Sequence, residues 1–591
     1  MHRRMLQASM LAAALVMSVR AGAETAEERL NLLAGRFVDE TLAYDPTLAY
    51  EAGLATTVND RLPDRSPAAI SAFESIEQRD LAALDGIDRS ALPPRSQATY
   101  ANLREKLESD LELRICRIEL WNVNHFDGWQ SALADVAAAQ PVGTEDARRQ
   151  ALKRWASLPV FIDTEIANLK RGLELGYSAP KSVVRRVIGQ MDSLSRSAPE
   201  DSPFFSPAAR AGDPDFKTAF RRLIAEHINP AFARYRDFLK SDYLARARTG
   251  VAISDLPDGS ACYRAFLRSE TTLKLSPEEV FRLGQRTVAA NSSDVLRLGR
   301  RYYGTTSIAA TLAAATSARQ EHFASSDELL TFSRTFLARA KARTAASLIT
   351  RLPSQDVIIE PERAFEESAG VSSHLDPQPD PSRPAVYRIQ LGNWASETRG
   401  EAEITVAHET LPGHHLQIAL AREIGAPSRL ARLISLPAYQ EGWARYAEGL
   451  AEEGSIYDRP SAAILRRIWP ARGMVVDPGL HAFHWTREEA VRYLVSTGRY
   501  TTQSADDMVD RIAVMPAQLT AYDSGALQIR ALREEAEQAL GKHFDLKAFN
   551  NVLLDEGVVP LGELRRHVLA WLSKEGHDAR AHQAPQGRGP R

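Results

Sequence analysis

Through most of residues 24 to 330, apolar side chains recur at three- and four-residue spacing. That period sets them on one face of an α-helix, so the chain must build its core largely from helices. Leu30, Leu33, Phe37 and Leu42 follow the rule, as do Leu103, Leu107, Leu111, Leu113 and Ile118. Phe220, Leu223, Ile224, Ile228, Phe232 and Tyr235 repeat it. Breaks fall at Pro199–Pro207 and at Asp255-Leu-Pro-Asp-Gly259. Ser276-Pro277-Glu278-Glu279 reads as a helix start: a Ser cap, Pro in the first turn, then acids at the positive helix end.

The pattern changes at residue 351. Asp356-Val-Ile-Ile-Glu360 is a short β-like run, Ser372–Pro384 has the composition of a loop, and Ala385–Gly392 alternates like a strand. Helical patterning resumes near Gly400 and continues to about Glu575. The expected class is therefore mainly α, with a small β element before residue 400. Strands never alternate regularly with helices, which disfavours a doubly wound sheet. The division expected is a signal segment 1–23, an N-terminal helical part 24–350, a C-terminal part 351–575 and a disordered polar tail 576–591.

The signal reading rests on three features. His2, Arg3 and Arg4 form a basic start, Met5–Val19 is apolar, and Ala21-Gly22-Ala23 fits the small-x-small cleavage rule. An apolar run of this length falls short of the roughly 20 residues that span a bilayer. Cleavage after Ala23 would remove Arg3, Arg4 and Arg20 and no acid, leaving 568 residues with charge −6. A periplasmic or secreted location follows, without stable membrane insertion. The near balance of 73 Lys+Arg and 76 Asp+Glu offers no basic footprint for nucleic acid. Cys116 and Cys262 are the only cysteines, too few for an all-Cys metal site. Export permits a disulfide between them, but spacing alone does not decide it.

Chemistry concentrates in His408-Glu409-Thr-Leu-Pro-Gly-His414-His415. A zinc-peptidase helix reads H-E-x-x-H, with two His ligands one turn apart and the Glu as general base. Here Pro412 stands where the second His belongs. On a straight helix His415 would lie about 10.5 Å above His408, and His414 about 9 Å above and about 120° round. Ligand nitrogens sit about 2.0–2.1 Å from a shared zinc, so neither arrangement works. The helix must be interrupted, and Pro412 and Gly413 supply the means. Downstream, Glu441 follows His414 by 27 residues, within Leu436-Pro-Ala-Tyr-Gln-Glu-Gly-Trp-Ala-Arg-Tyr-Ala-Glu448. His, His and Glu441 would complete a one-zinc site with an open position, and Glu448 would orient a ligand histidine. Arg530 and Arg533 are placed to grip a carboxylate, with exposed helix charges as the alternative. The strand Val386–Leu391 is a candidate for pairing with extended substrate through its edge, with Asn393 and Trp394 beside it.

These blocks resemble the bacterial domain-of-unknown-function family 885, grouped with the gluzincin metallopeptidases. Asp477-Pro-Gly-Leu-His481, Pro516–Gly525, Gly557-Val-Val-Pro-Leu561 and Gly259-Ser-Ala-Cys-Tyr263 extend the resemblance over nearly the whole chain. It implies an elongated, two-lobed helical body split by a deep central cleft, similar to Taq-type carboxypeptidases and thimet or neurolysin oligopeptidases. It also implies an oxyanion donor, for which Tyr522 is the first candidate and His481 the second. Aligning Gly-His with the relatives favours His414 over His415 as second ligand. The expected activity is zinc-dependent hydrolysis of short peptides, with Glu409 as general base. The rival readings are hydrolysis of an ester or non-peptide amide, and a non-catalytic metal-binding scaffold. Oligomeric state is not legible.

Overall fold

The protein is described by a computed structural model covering residues 24–362, 374–376, 382–423 and 429–583. The expected signal segment and its cleavage point lie outside the described residues. The described chain is mainly helical, as the periodicity requires. Its local signals act as their chemistry dictates. The Ser276 hydroxyl accepts from the Glu279 amide at 3.2 Å and the Glu279 carboxylate accepts from the Ser276 amide at 2.7 Å, opening the helix Pro277–Tyr303. The Pro-rich stretch 199–207 forms only short turns before the helix Ser206–Arg210. No helix among the described residues is long and apolar enough to cross a membrane.

The largest apolar cluster takes side chains from both parts of the chain. Leu30, Phe37 and Leu103 pack in it with Tyr387, Val406, Tyr439, Trp443 and Phe549. A second cluster, around Trp129, Trp155, Phe204 and Phe232, belongs to the N-terminal part alone. Cys116 and Cys262 are joined by a disulfide, with Cα atoms 4.8 Å apart. The bond ties the end of the helix Pro94–Leu113 to the start of the helix Gly259–Thr271. Arg268, one turn before the end of that second helix, reaches Glu108 at 2.5 Å, Glu105 at 3.3 Å and also Glu112, all on the first helix. The second helix is thus fixed near both of its ends to the C-terminal half of the first.

Three strands make one sheet in the order β1 (Val357–Pro361), β3 (Ala385–Ile389), β2 (His374–Asp376). β1 and β3 run parallel, with Val357 opposite Ala385, and β2 is antiparallel to β3. Two corrections follow. The run read as a loop from Ser372 contains a strand, too short at three residues for alternation to show. And β3 lies in the middle, with partners on both sides, so the expected edge pairing of substrate with this strand has no free edge to use. At the other end of the chain the last helix runs from Leu561 to Gln583, past the expected boundary at Gly576.

The helices Pro437–Glu453 and Gln518–Leu540 cross at two glycines. A Cβ on Gly525 would stand 1.8 Å from the Ala438 carbonyl oxygen, and one on Gly442 would stand 2.6 Å from the Gly525 Cα. Only glycine at both positions permits this approach. The crossing sets Tyr522 of one helix beside the Glu441 turn of the other.

A candidate metal centre at an interrupted helix

The helix Arg399–Glu409 carries the first ligand candidate. It is started by Thr398, whose hydroxyl accepts from the Glu401 amide. It is anchored by the fully buried Glu403, which accepts from Arg339 at 3.1 Å and from the Asp458 and Arg459 amides. The helix stops at Glu409 and a new one begins at His414. Between them lie Thr410, Leu411, Pro412 and Gly413, with a cis bond before Pro412. The Gly413 amide turns back to donate to the Ala407 carbonyl at 3.0 Å. A side chain at Gly413 would collide with the His408 carbonyl oxygen, 1.8 Å from the Cβ position. The Trp443 indole N–H then donates to the Pro412 and Gly413 carbonyls at 3.0 and 3.2 Å, fastening the break to the helix Pro437–Glu453.

The interruption folds His414 back onto His408. Their ring centroids are 4.8 Å apart and nearly perpendicular. Glu441 Oε2 stands 3.4 Å from His408 Nε2 and 3.4 Å from His414 Nε2. His408, His414 and Glu441 are the one group of three metal-type donors among the described residues with ligand atoms all within 4.8 Å of one another. All three are half-buried, so the site is shielded but reachable.

Glu448 completes the support. Its Oε1 lies 3.0 Å from His408 Nδ1, which leaves Nε2 facing Glu441 and His414. Arg445 donates to both oxygens of Glu448, at 2.7 and 2.9 Å, and lies over the Tyr522 ring. This carboxylate–histidine pairing fixes ring orientation and raises ligand basicity in metal sites. Burial opposes ionisation of Glu448, but Arg445 and His408 outweigh it and hold its pKa at about 2. Burial likewise would lower the His408 pKa, yet the facing carboxylates of Glu441 and Glu448 lift it to about 10. Glu441 is kept below the usual carboxylate range because His414 and His408 overcome its burial. Glu441 Oε2 is also a buried acceptor without a hydrogen bond. Two imidazoles, an unsatisfied carboxylate oxygen and a field that favours positive charge fit a divalent cation, and the donor set suits zinc. Glu448→Gln is expected to keep the fold and weaken zinc binding by about 10- to 100-fold, read by competition with a chromophoric chelator.

Glu409 is half-buried beside His408, and its carboxylate makes no hydrogen bond or ion pair among the described residues. Tyr522 lies nearly parallel to the His408 ring, with centroids 6.4 Å apart. Its hydroxyl accepts from the Gln518 amide at 3.3 Å. Burial, with Glu441 nearby, raises its pKa to about 12, so it remains a donor at neutral pH.

Several sequence expectations need correction. His415, the alternative ligand, points away: its Nε2 meets the Gln355 carbonyl at 3.0 Å in a buried position. Burial lowers its pKa to about 4. A seven-residue spacing from His408 would put it on the same face only if the helix were continuous, and it is not. His481, the second oxyanion candidate, is fully buried with both ring nitrogens engaged. Its Nδ1 accepts from the Ile253 amide at 3.0 Å and its Nε2 donates to the Ile512 carbonyl at 3.1 Å. It holds two chain segments together and has no nitrogen left for a substrate. Arg533 is spent on Glu453 at 2.9 Å and Glu537 at 2.8 Å. Arg530 lies apart from these pairs, close to Arg466, Asp523 and Glu448. Asn393 is exposed, and Trp394 packs on the main core. Two residues escaped the sequence reading. Arg445 was detectable as the i,i+3 partner of Glu448. Glu270 had no local signal at all: it comes from the helix Gly259–Thr271 and reaches the electrostatic neighbourhood of Glu441 only through tertiary packing.

Over nine-tenths of its length the chain resembles two solved structures. A Colwellia psychrerythraea protein described as a lipoprotein superposes with a TM-score of 0.86 at 22% identity, covering 93% of this chain and 100% of that one. A Shewanella oneidensis protein described as a lipoprotein of unknown function gives 0.71 at 18% identity, covering 91% and 99%. At these identities the likeness is one of fold. No curated protein matches the chain. A family model described as a bacterial protein of unknown function matches residues 46–568. That span includes every candidate ligand, and the chain belongs to this family, DUF885.

Proposed function

We propose that this chain is an exported, zinc-dependent hydrolase, a metallopeptidase acting on oligopeptides. The observation that carries the reading is the convergence of His408, His414 and Glu441 within 4.8 Å beside the unpartnered Glu409. A metal-holding scaffold needs the first three and has no use for the fourth. When bound, zinc would lower the pKa of a water and polarise a carbonyl. His408 (oriented by Glu448), His414 and Glu441 would hold it. Glu409 accepts a proton from the attacking water at its carboxylate and passes it to the leaving amine. Tyr522 donates its hydroxyl to the oxygen on which negative charge develops. The elongated two-lobed body with a central cleft belongs to the same reading: such a channel admits short peptides and excludes folded proteins. Export rests on residues 1–23, and the two similar structures described as lipoproteins support an extracytoplasmic setting.

The test is digestion of a peptide library by the zinc-loaded protein, read by mass spectrometry with and without a chelator. Chelator-sensitive cleavage is the expected result. Cleavage that persists after the metal is stripped would end the metallopeptidase reading, and cleavage of esters alone would replace it by the ester reading.

A further inference from the structure

The direction of the Tyr522 hydroxyl is set from outside the metal centre. Gln518 opens the helix Gln518–Leu540 and stands one turn before Tyr522, so the two side chains share a face. Gln518 Nε2 donates to the Tyr522 hydroxyl oxygen at 3.3 Å, and Gln518 Oε1 accepts from an Arg511 guanidinium N–H at 3.1 Å. Arg511 lies in the last turn of the preceding helix, Thr502–Val514. The corner between these helices is pinned. Ala517 has a φ of +68°, and its amide donates to Asp477 at 3.0 Å. Asp477 in turn accepts from the Tyr263 hydroxyl at 2.7 Å. From the N-terminal part of the chain, the Phe126 ring lies 4.7 Å from the Arg511 guanidinium carbon and holds it by a cation–π contact.

These contacts have one polarity. A guanidinium can only donate, so the Gln518 atom facing it is the oxygen, and the atom left for Tyr522 is the nitrogen. That NH2 group can only donate, so the Tyr522 oxygen accepts and its own proton is turned elsewhere. No acceptor for that proton is found among the described residues. The Tyr522 ring lies 6.4 Å from the His408 ring, so the free proton belongs to a hydroxyl beside the candidate metal centre. Arg511 is not drawn away by its neighbour in sequence: Asp510 is engaged by Ser182 and Arg186, at 2.6 Å each. A reversed Gln518 amide would present its oxygen to Tyr522, accept the proton and withdraw it from the site.

We propose that Arg511 and Gln518 are positioning residues for the oxyanion donor. They hold the Tyr522 hydroxyl so that its proton is free for the substrate oxygen on which negative charge develops. This inference rests on the peptidase reading and deepens it: neither residue touches the substrate, and both act through Tyr522.

The experiment is a double-mutant cycle on the zinc-loaded full chain, with kcat and KM read on a cleaved peptide. Tyr522→Phe is expected to lower kcat by about 10²- to 10³-fold, the loss that follows removal of one oxyanion donor. Gln518→Glu keeps the side-chain shape but turns an acceptor towards Tyr522. Arg511→Met removes the donor that orients the amide. Each is expected to lower kcat about tenfold, with KM within about threefold. In the Tyr522→Phe background the further loss from either should shrink to about twofold, because residues that act through one group are not additive. Arg511→Lys, which keeps a donor, should recover most of what Arg511→Met loses. Either single variant closes a cycle, so misfolding of one leaves the other to decide. Losses that multiply in the double variants would overturn the proposal and leave the peptidase reading standing. So would a kcat in both single variants equal to that of the unaltered protein, or loss of zinc from both. In parallel, calorimetry reads binding of a phosphinic peptide, whose tetrahedral oxygens imitate the charged intermediate. It should weaken in the single variants and no further in the double ones. If that pattern holds but no peptide is ever cleaved, the positioning role stays and the peptidase reading falls.

Discussion

Replacement of Glu409 by Gln is expected to leave zinc bound and lower the rate of peptide hydrolysis by about 10²- to 10⁴-fold, the range over which a positioned general base acts. Gln preserves the shape of the side chain and removes its capacity to take a proton. Glu409 touches no partner that the substitution would strand, so the melting temperature should move little. The measurement is kcat on a cleaved peptide together with zinc content by atomic absorption. Full activity in Glu409→Gln would show that the proton goes elsewhere. Loss of zinc would show that the residue holds the ion.

The second large effect concerns the metal itself. His408→Ala, His414→Ala and Glu441→Ala should each release zinc on dialysis and abolish hydrolysis, because three protein ligands are the minimum seen in catalytic zinc sites. His415→Ala should keep zinc despite the adjacent position. It should instead lose stability, by about 1–3 kcal/mol, because a buried hydrogen bond between His415 and the Gln355 carbonyl is lost. Reading zinc content and urea midpoints for all four variants separates the roles. Zinc loss in His415→Ala with retention in His414→Ala would reverse the assignment. Zinc binding should also stabilise the unaltered protein thermally, since only the folded chain brings the three donors together.

The contrast between His414 and His415 shows where sequence reasoning reached its limit. Helical arithmetic was enough to say that neither histidine can share an ion with His408 across a straight helix, and that Pro412 and Gly413 must break it. It could not say how the chain leaves the break. That depends on the Gly413 amide returning to Ala407 and on Trp443 holding the Pro412 and Gly413 carbonyls, both set by packing. His481 failed for the same reason. The family resemblance suggested function for it, but the partners that engage both its nitrogens are Ile253 and Ile512, far away along the chain. Tyr522 comes beside the Glu441 turn because Gly442 and Gly525 let the helices Pro437–Glu453 and Gln518–Leu540 approach, and no spacing rule within either helix encodes that meeting.

Periodicity and local chemistry therefore determined the helical class, the helix starts, the break after Glu409 and the identity of the candidate donors, because these depend on residues a few positions apart. Tertiary structure decided which histidine turns inward, the disulfide and the central place of β3. Those outcomes depend on distance between segments that only the packed core brings together.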